Sequence, residues 1–487
     1  MAYIAAIDEG TTGTRAVLYD LDKNKIIASK SSEIKQFYPE PSYVEENANE
    51  IYAETLASLV EVLEGADDIG KVVGIGITNQ RETVIAWDKK TGKPLYNAIV
   101  WQCRRTADFM SELAEKYGDI IRRKTGLVMD AYFSASKIKW LIDNVPIIRQ
   151  KADNGEVCFG TVDSFLVYKL TGGKAFVTDV TNASRTMLFN INTLDYDDEL
   201  LSIFGVKREC LPKVVYSDEK VGEFDYDGYK IPVCGIAGDQ QAALVGQGCL
   251  SVGDVKATYG TGLFMLYNTG YKSIISQNGL VTTVAYGIGG EVSYAFEGSV
   301  FNAGSSVQWL RDNLGFFASS ADSETLALSV GSSCGVYVVP AFTGLGAPYW
   351  NGNARGIITG LTRGVTKAHI TRATLESMAY SARDLADVME KESGVKLTEL
   401  RCDGGASAND FLMGFQASVL GANVNRPKEK ESTALGAVYL CGLGTGYITK
   451  EDIKRLRVCD KIFTPDGDRE KYEKLYDGWK KAVERSM

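Results

Sequence analysis

The sequence predicts an α/β protein of two domains, and three observations predict it. Apolar strand-like runs alternate with helical stretches along the chain. A hairpin tipped with Gly and Thr occurs once in each half, at 10–14 and at 260–262. The length of 487 residues also exceeds the roughly 100–200 residues of a typical single domain. The change of halves falls near Gly246 to Gly253, giving domains 1–246 and 247–487.

Taken in order, Tyr3 to Ile7 is an apolar strand, Gly10 to Thr14 a tight turn, and Ala16 to Tyr19 a second strand before the turn DLDKNK and the run IIAS. This glycine loop feeds a strand and carries no lysine, whereas a Walker loop ends in GK[ST] and feeds a helix. VVGIGIT is another strand; it leads into Asn79 to Glu82, and TVIAWD follows. IPVCGIAGDQQAALVGQG reads as a buried strand, then Asp239, then a helix. DVKATYGTGLFMLYNTG repeats the opening pattern of strand, Gly260-Thr261-Gly262 and strand. VTKAHITRATLESMAYSARDLADVM has helical spacing that begins near His369, a helix-start position. ELRCDGGASANDFLMGFQASVLG reads as strand, Gly404-Gly405 turn and a helix starting at Ser407 to Asn409, and Asp466 to Met487 as a surface helix.

Composition excludes several classes. A net charge of -9 without a strong basic cluster gives little attraction to nucleic acid or anionic lipid. No apolar run approaches the roughly 20 residues of a membrane span, and no basic, apolar leader precedes Asp8. Nine cysteines without a C-x-x-C pair fit reduced thiols and a cytoplasmic location. The single histidine rules out a multi-histidine metal site, so the expected base is a carboxylate.

Several residues are candidates for chemistry. Asp8 ends a strand directly before the first Gly/Thr loop, a place for a magnesium ion bridging nucleotide phosphates; a turn-forming aspartate is the plainer alternative. Thr11, Thr12 and Thr14 offer hydroxyl and N–H groups to phosphate oxygens, and Arg15 a permanent charge. In NQRETV, Arg81 offers a planar fork of donors and Glu82 an acceptor, suited to a ligand rich in hydroxyls, unless the two form a surface ion pair. Asp239 is the candidate proton acceptor or else a helix cap, with Gln240 beside it. Gly404-Gly405 admits a nucleotide closely or serves as an ordinary turn.

Together IDEGTTGTR, GITNQRET, YNAIVWQCRRT, IAGDQQAAL, YGTGLFMLYNTG and CDGGASANDF resemble the FGGY carbohydrate kinase family, as do YFSASKIKWLIDN and GIITGLTRGVTKAHITRATLE over its two signature segments. The resemblance runs in order over essentially the whole chain. It implies two α/β domains of the actin-like, ribonuclease-H-like ATPase type with the active site in the cleft between them. It further implies ATP-dependent phosphorylation of glycerol, with ATP and Mg2+ required and a homo-oligomer, dimer or tetramer. By motif matching, Asp239 is the catalytic base; Arg81, Glu82, Trp101, Tyr132, Gln240 and Phe264 join it around glycerol. Thr11, Thr12, Gly13, Arg15, Thr261, Gly304, Gln308, Gly405 and Asn409 carry over to ATP or ADP, and Asp8 to the metal. A kinase of another sugar or polyol, and a non-catalytic actin-like ATPase switch, are the alternatives.

The chain departs from the family at two loop positions, with Glu9 where members usually have glutamine and Gly13 where many have serine. The short FDYDGYKIP matches no inhibitor loop and contains no histidine. Strand alternation turns Glu9 away from the face of Asp8. Its expected partner is a nearby cation or solvent, and the sharper expectation is that it raises magnesium demand or weakens ATP binding.

Overall fold

A computed structural model describes residues 2–487. Its first sheet contains β1 (Tyr3–Glu9), β2 (Gly13–Asp20), β3 (Lys25–Glu33), β4 (Val72–Asn79), β5 (Lys220–Tyr226) and β6 (Tyr229–Gly238), in the order β5-β6-β4-β1-β2-β3. Strands β1, β4 and β6 run parallel, so Glu9, Asn79 and Gly238 align at one edge. Helices α1 (Ala48–Leu63), α2 (Ser134–Asn144) and α3 (Asp239–Gly246) belong to the same half. Both faces of β1 are covered, which explains its unbroken apolar run: Tyr3, Ala5 and Ile7 join the core containing Leu59 of α1, while Ile4 and Ala6 join the core containing Leu244 of α3.

The second sheet repeats the pattern. It contains β7 (Val255–Tyr259), β8 (Leu263–Gly270), β9 (Val281–Ile288), β10 (Glu291–Val300), β11 (Glu399–Asp403), β12 (Asn423–Pro427) and β13 (Cys459–Phe463), in the order β9-β10-β8-β7-β11-β12-β13. Like β1 and β4, β7 and β11 are parallel, and β7 pairs antiparallel with β8 across the glycine turn. The two hairpins close alike, with Gly10 N–H donating to Gly13 O and Gly260 N–H to Gly262 O, each at 2.9 Å.

Helices α4 (Gly304–Asp312), α5 (Lys367–Ser393), α6 (Asp410–Leu420), α7 (Ser432–Gly444) and α8 (Arg469–Ser486) are among those of the second half of the chain. His369 lies in the first turn of α5 and closes a capping box with Thr366, the helix-start role its position predicts. The C-terminal helix α8 is amphipathic as expected: Tyr476 and Trp479 are buried and donate to the Asp384 carboxylate of α5 at 2.6 and 2.9 Å.

The halves meet where α3 and α7 pack at glycine distance. A Cβ on Gly246 would strike the Ser432 carbonyl oxygen, and one on Gly436 that of Ala242. A second junction forms where Val281, Val284 and Tyr294 of β9 and β10 enter the core around Phe133 and Ala183. All nine cysteines are free thiols. No helix of the described residues is long and apolar enough to cross a membrane.

Candidate active site

The edge of the first sheet sets out the polar residues. Arg81 and Glu82 follow β4, and Asp239 opens α3 directly after β6. Asp239 does not cap the helix: the cap position is Gly238, and Asp239 Oδ1 instead accepts from its neighbour Gln240 N–H at 2.7 Å and forms an ion pair with Arg81 Nε at 3.1 Å. Asp239 is one-third exposed and so remains open to a ligand. Gln240 Nε2 donates to Asp239 Oδ2 at 3.2 Å, and Gln240 Oε1 accepts from the buried Lys256 Nζ at 2.5 Å.

Arg81 and Glu82 are buried, and neither pairs with the other, which removes the surface ion pair as an account of NQRET. Arg81 donates Nη1 to Glu297 Oε2 at 2.6 Å and to Gln241 Oε1 at 3.2 Å, and Nη2 to Glu297 Oε1 at 3.0 Å. Arg185 Nε donates to Glu82 Oε1 at 2.5 Å, and Arg185 Nη2 to Glu297 Oε1 at 3.2 Å. Four buried charges, two of each sign, thus neutralise one another. Burial pushes Glu297 up, but Arg185 and Arg81 outweigh it and hold its carboxyl down at about 2. Glu82 adopts φ 60, a left-handed conformation that is rare for a glutamate and marks the loop as constrained.

Trp101 and Tyr132 meet edge to face with ring centroids 5.5 Å apart. Trp101 Nε1 donates to Thr11 Oγ1 at 2.9 Å, tying this aromatic wall to the first hairpin tip. The Arg185 guanidinium lies 5.6 Å from the Tyr132 ring. Burial, followed by the Glu82 charge, raises the Tyr132 phenol far above its ordinary range. Phe264 is half-buried on β8 opposite Thr258.

Around the hairpins, Thr12 and Thr261 are exposed and Gly13 is half-buried. A Cβ on Gly13 would lie 2.6 Å from the Ser32 carbonyl oxygen of β3, so close strand packing accounts for the glycine. Arg15 donates Nε to Ser31 Oγ at 2.9 Å and pairs through Nη1 with Glu431, the residue before α7. Thr261 O accepts from Ala303 and Ser305 N–H at 2.9 and 3.1 Å, and Gly260 O from Gly304 N–H at 3.0 Å, so the second tip and the start of α4 form one unit. Gln308 is exposed on α4. Gly405 is exposed with open space where a Cβ would lie, and Asn409 caps α6 by accepting from Leu412 N–H at 2.9 Å.

Asp8 and Glu9 do point to opposite faces of β1. Burial, then the Asp239 and Glu431 charges, push Asp8 up to about 7, against the opposing pull of Arg15. Crowded carboxylates of this kind suit a divalent cation. No group of three or more His, Cys, Asp or Glu among the described residues makes a complete metal site.

Glu9 corrects the sequence-based expectation. It meets neither a cation nor solvent: it is fully buried beneath α1, where Oε2 accepts from Thr55 Oγ1 at 2.9 Å and Oε1 has no hydrogen bond. Burial raises its carboxyl to about 8, and the Glu46 and Asp8 charges add to the rise.

Glu297, Arg185, Lys256 and Glu431 are the structural partners that motif reasoning did not single out. Glu297 and Lys256 lie in strands, Arg185 in a turn and Glu431 just before α7; none stands next to the residue it supports, and the local pattern of each carries no mark of the contact.

Two sheets of the same pattern, each with a Gly/Thr hairpin, and an acid-lined polar cluster at the edge of the first define a two-domain protein of the actin-like ATPase type. The N-terminal domain model of the FGGY family of carbohydrate kinases matches residues 3–246 and the C-terminal domain model residues 255–445. The chain belongs to that family. It is 53% identical over 489 residues to the glycerol kinase of Symbiobacterium thermophilum, covering 99% of this chain and 98% of the relative. It is 52% identical over 491 residues to that of Thermus thermophilus, covering 100% and 99%. The crystal structure of Plasmodium falciparum glycerol kinase with ADP superposes with a TM-score of 0.92 at 38% identity, covering 100% of this chain and 98% of that one. The expected two-domain actin-like fold stands.

Proposed function

We propose that the protein transfers the γ-phosphoryl group of ATP to a terminal hydroxyl of glycerol, giving sn-glycerol 3-phosphate and ADP, in glycerol catabolism. The observation that carries this reading is the 53% identity to a glycerol kinase over nearly the whole of both chains. The geometry of Asp239 supports it: a half-buried carboxylate held by Arg81 and Gln240, with a free side for a ligand.

In this mechanism Asp239 accepts the proton of the attacking hydroxyl as its oxygen bonds to the γ-phosphorus and the bond to the ADP oxygen breaks. Arg81, Glu82, Tyr132 and Gln240 hold glycerol hydroxyls, while Trp101 and Phe264 cover its carbon face. Because Glu297 occupies the terminal fork of Arg81, only the remaining N–H groups of that side chain serve the ligand. Thr11, Thr12, Gly13, Arg15 and Thr261 receive the phosphates, and Gly304, Gln308, Gly405 and Asn409 the rest of the nucleotide. Asp8 would hold magnesium, which supplies charge neutralisation on the phosphates when bound. The division into 1–246 and 247–487, a cytoplasmic location and a homo-oligomer, dimer or tetramer, belong to the same proposal.

An ATP-dependent assay for glycerol 3-phosphate tests it, run beside xylulose and gluconate as acceptors. Turnover of glycerol above the others is expected. Strong turnover of xylulose or gluconate with none of glycerol would sink the proposal in favour of another family activity; ATP binding without transfer to any acceptor would favour a switch protein.

A further inference from the structure

At the far end of α3 from Asp239, a separate cavity of about 600 Å³ opens between the two halves of the chain. One wall is the β2–β3 turn, with Tyr19 and Lys25; the other is the connection from β12 to α7 with Lys428, together with Arg457. The size is that of a small-molecule site, since such sites span roughly 300–1,000 Å³.

Its charge is one-sided. Lys23, Lys25, Lys428 and Arg457 line it against a single acid, Glu429. Glu429 is turned to its own connection, where Oε1 accepts from Lys430 and Glu431 N–H at 2.9 and 3.3 Å. Lys23 is paired with Asp20 at 3.0 Å, but Lys25, Lys428 and Arg457 form no ion pair among the described residues.

Arg457 is the telling group. It is half-buried and held by two neutral acceptors, Nε to Gln247 Oε1 at 2.8 Å and Nη2 to Asn425 O at 3.2 Å. Burial and the nearby Arg401 charge press its affinity for the proton below the usual arginine range, yet a guanidinium stays charged in a protein. The Glu399 carboxylate acts on this cation from a distance, but no carboxylate of the described residues touches it, so its outward N–H groups are open to an anion. The first turn of α7 at Ser432 also lines the cavity, adding the positive end of a 13-residue helix.

We propose that this cavity is a second binding site that takes a small phosphorylated anion and spans both halves of the chain. Lys25, Lys428 and Arg457, less the charge of Glu429, leave a net of two positive charges for a phosphate dianion, and the free N–H groups of Arg457 suit phosphate oxygens. The site is distinct from the catalytic cleft, with which it shares no lining residue.

Equilibrium dialysis of labelled pyrophosphate against the full chain, with ADP and glycerol at saturation to fill the cleft, tests the assignment. One equivalent is expected to bind and to resist displacement by further ADP. Affinity is expected to fall about tenfold or more in Lys25→Gln/Lys428→Gln at matched ionic strength. Both lysines are exposed, and an unchanged Tm verifies that the variant is folded. Absence of binding, full displacement by ADP, or equal affinity in wild type and folded variant would overturn the proposal. None of these outcomes depends on which acceptor the catalytic cleft uses.

Discussion

Glu297 grips Arg81 by both terminal nitrogens, at 2.6 and 3.0 Å, across the junction between the two halves. The carboxylate comes from β10 of the second sheet and the guanidinium from the loop after β4 of the first. Arg81 in turn contacts Asp239 through Nε. A residue of the second half thereby sets the orientation of the expected base in the first.

Replacing Glu297 by Gln leaves the charges of Arg81 and Arg185 with only Glu82 and Asp239 to oppose them. Breaking one partner of a buried pair costs about 3–5 kcal/mol, so Tm should fall. Misplacing Arg81 should lower kcat/KM for glycerol by about 10- to 100-fold, while KM for ATP changes by no more than about twofold. Steady-state kinetics in both substrates check this; equal losses in the two KM values would point to general unfolding instead.

Asp239→Asn keeps the shape of the side chain and removes its capacity to accept a proton. Turnover should drop by about 10²- to 10⁴-fold. Glycerol should still raise Tm, because a ligand bound only to the folded state stabilises it. Near-normal turnover would move the proton-acceptor role to another group.

Lys137 is buried in α2 and donates its three N–H groups to the carbonyls of Ala131, Tyr132 and Phe133 at 2.8, 2.6 and 3.1 Å. It fixes the turn that carries Tyr132. Lys137→Met should unpair three buried acceptors at a cost of about 1–3 kcal/mol each and raise KM for glycerol more than it lowers kcat. A variant with reduced Tm but unchanged KM would restrict Lys137 to stability.

Much of this arrangement was legible in the sequence. The duplicated hairpins, the strand before Asp239 and the helix start at His369 are local patterns, and local patterns of apolar spacing and turn residues survive without tertiary information. Asp8 and Glu9 were separable by strand alternation alone. The partners were not legible: that Glu297 meets Arg81 depends on β9 and β10 crossing into the first half's core, and that Glu431 meets Arg15 depends on glycine-to-glycine packing of α3 on α7. Neither contact leaves a mark in the residues near either partner. Glu9 shows the same limit, since only the placement of α1 decides that its partner is Thr55.

Glu9→Gln should be stabilising at neutral pH, because folding must protonate Glu9, whose carboxyl rises from 4.5 to about 8, whereas the amide is neutral in both states. Glu9 faces α1 and not the side of Asp8, so the magnesium and ATP dependence of the variant should coincide with those of wild type. A clear shift in either curve would restore the idea that its charge reaches the phosphates.

Glu46 offers a test of pH dependence beside the same loop. It accepts from Gln36 Nε2 at 3.1 Å and from Gln80 Nε2 at 2.8 Å, and burial raises its carboxyl from 4.5 to about 7, with Glu50 adding to the rise. In the unfolded chain this group loses its proton near 4.5; in the folded protein it keeps the proton to about 7. Between those values the folded state binds more protons, so the contribution of Glu46 to stability falls as pH rises through the window and then levels off. In Glu46→Gln that dependence disappears. The Tm of the variant minus that of wild type should therefore climb from pH 4.5 to about 7 and stay flat above it. Parallel Tm curves for the two proteins across that range would mean that Glu46 is already ionised in the folded state and that its two glutamine donors outweigh its burial.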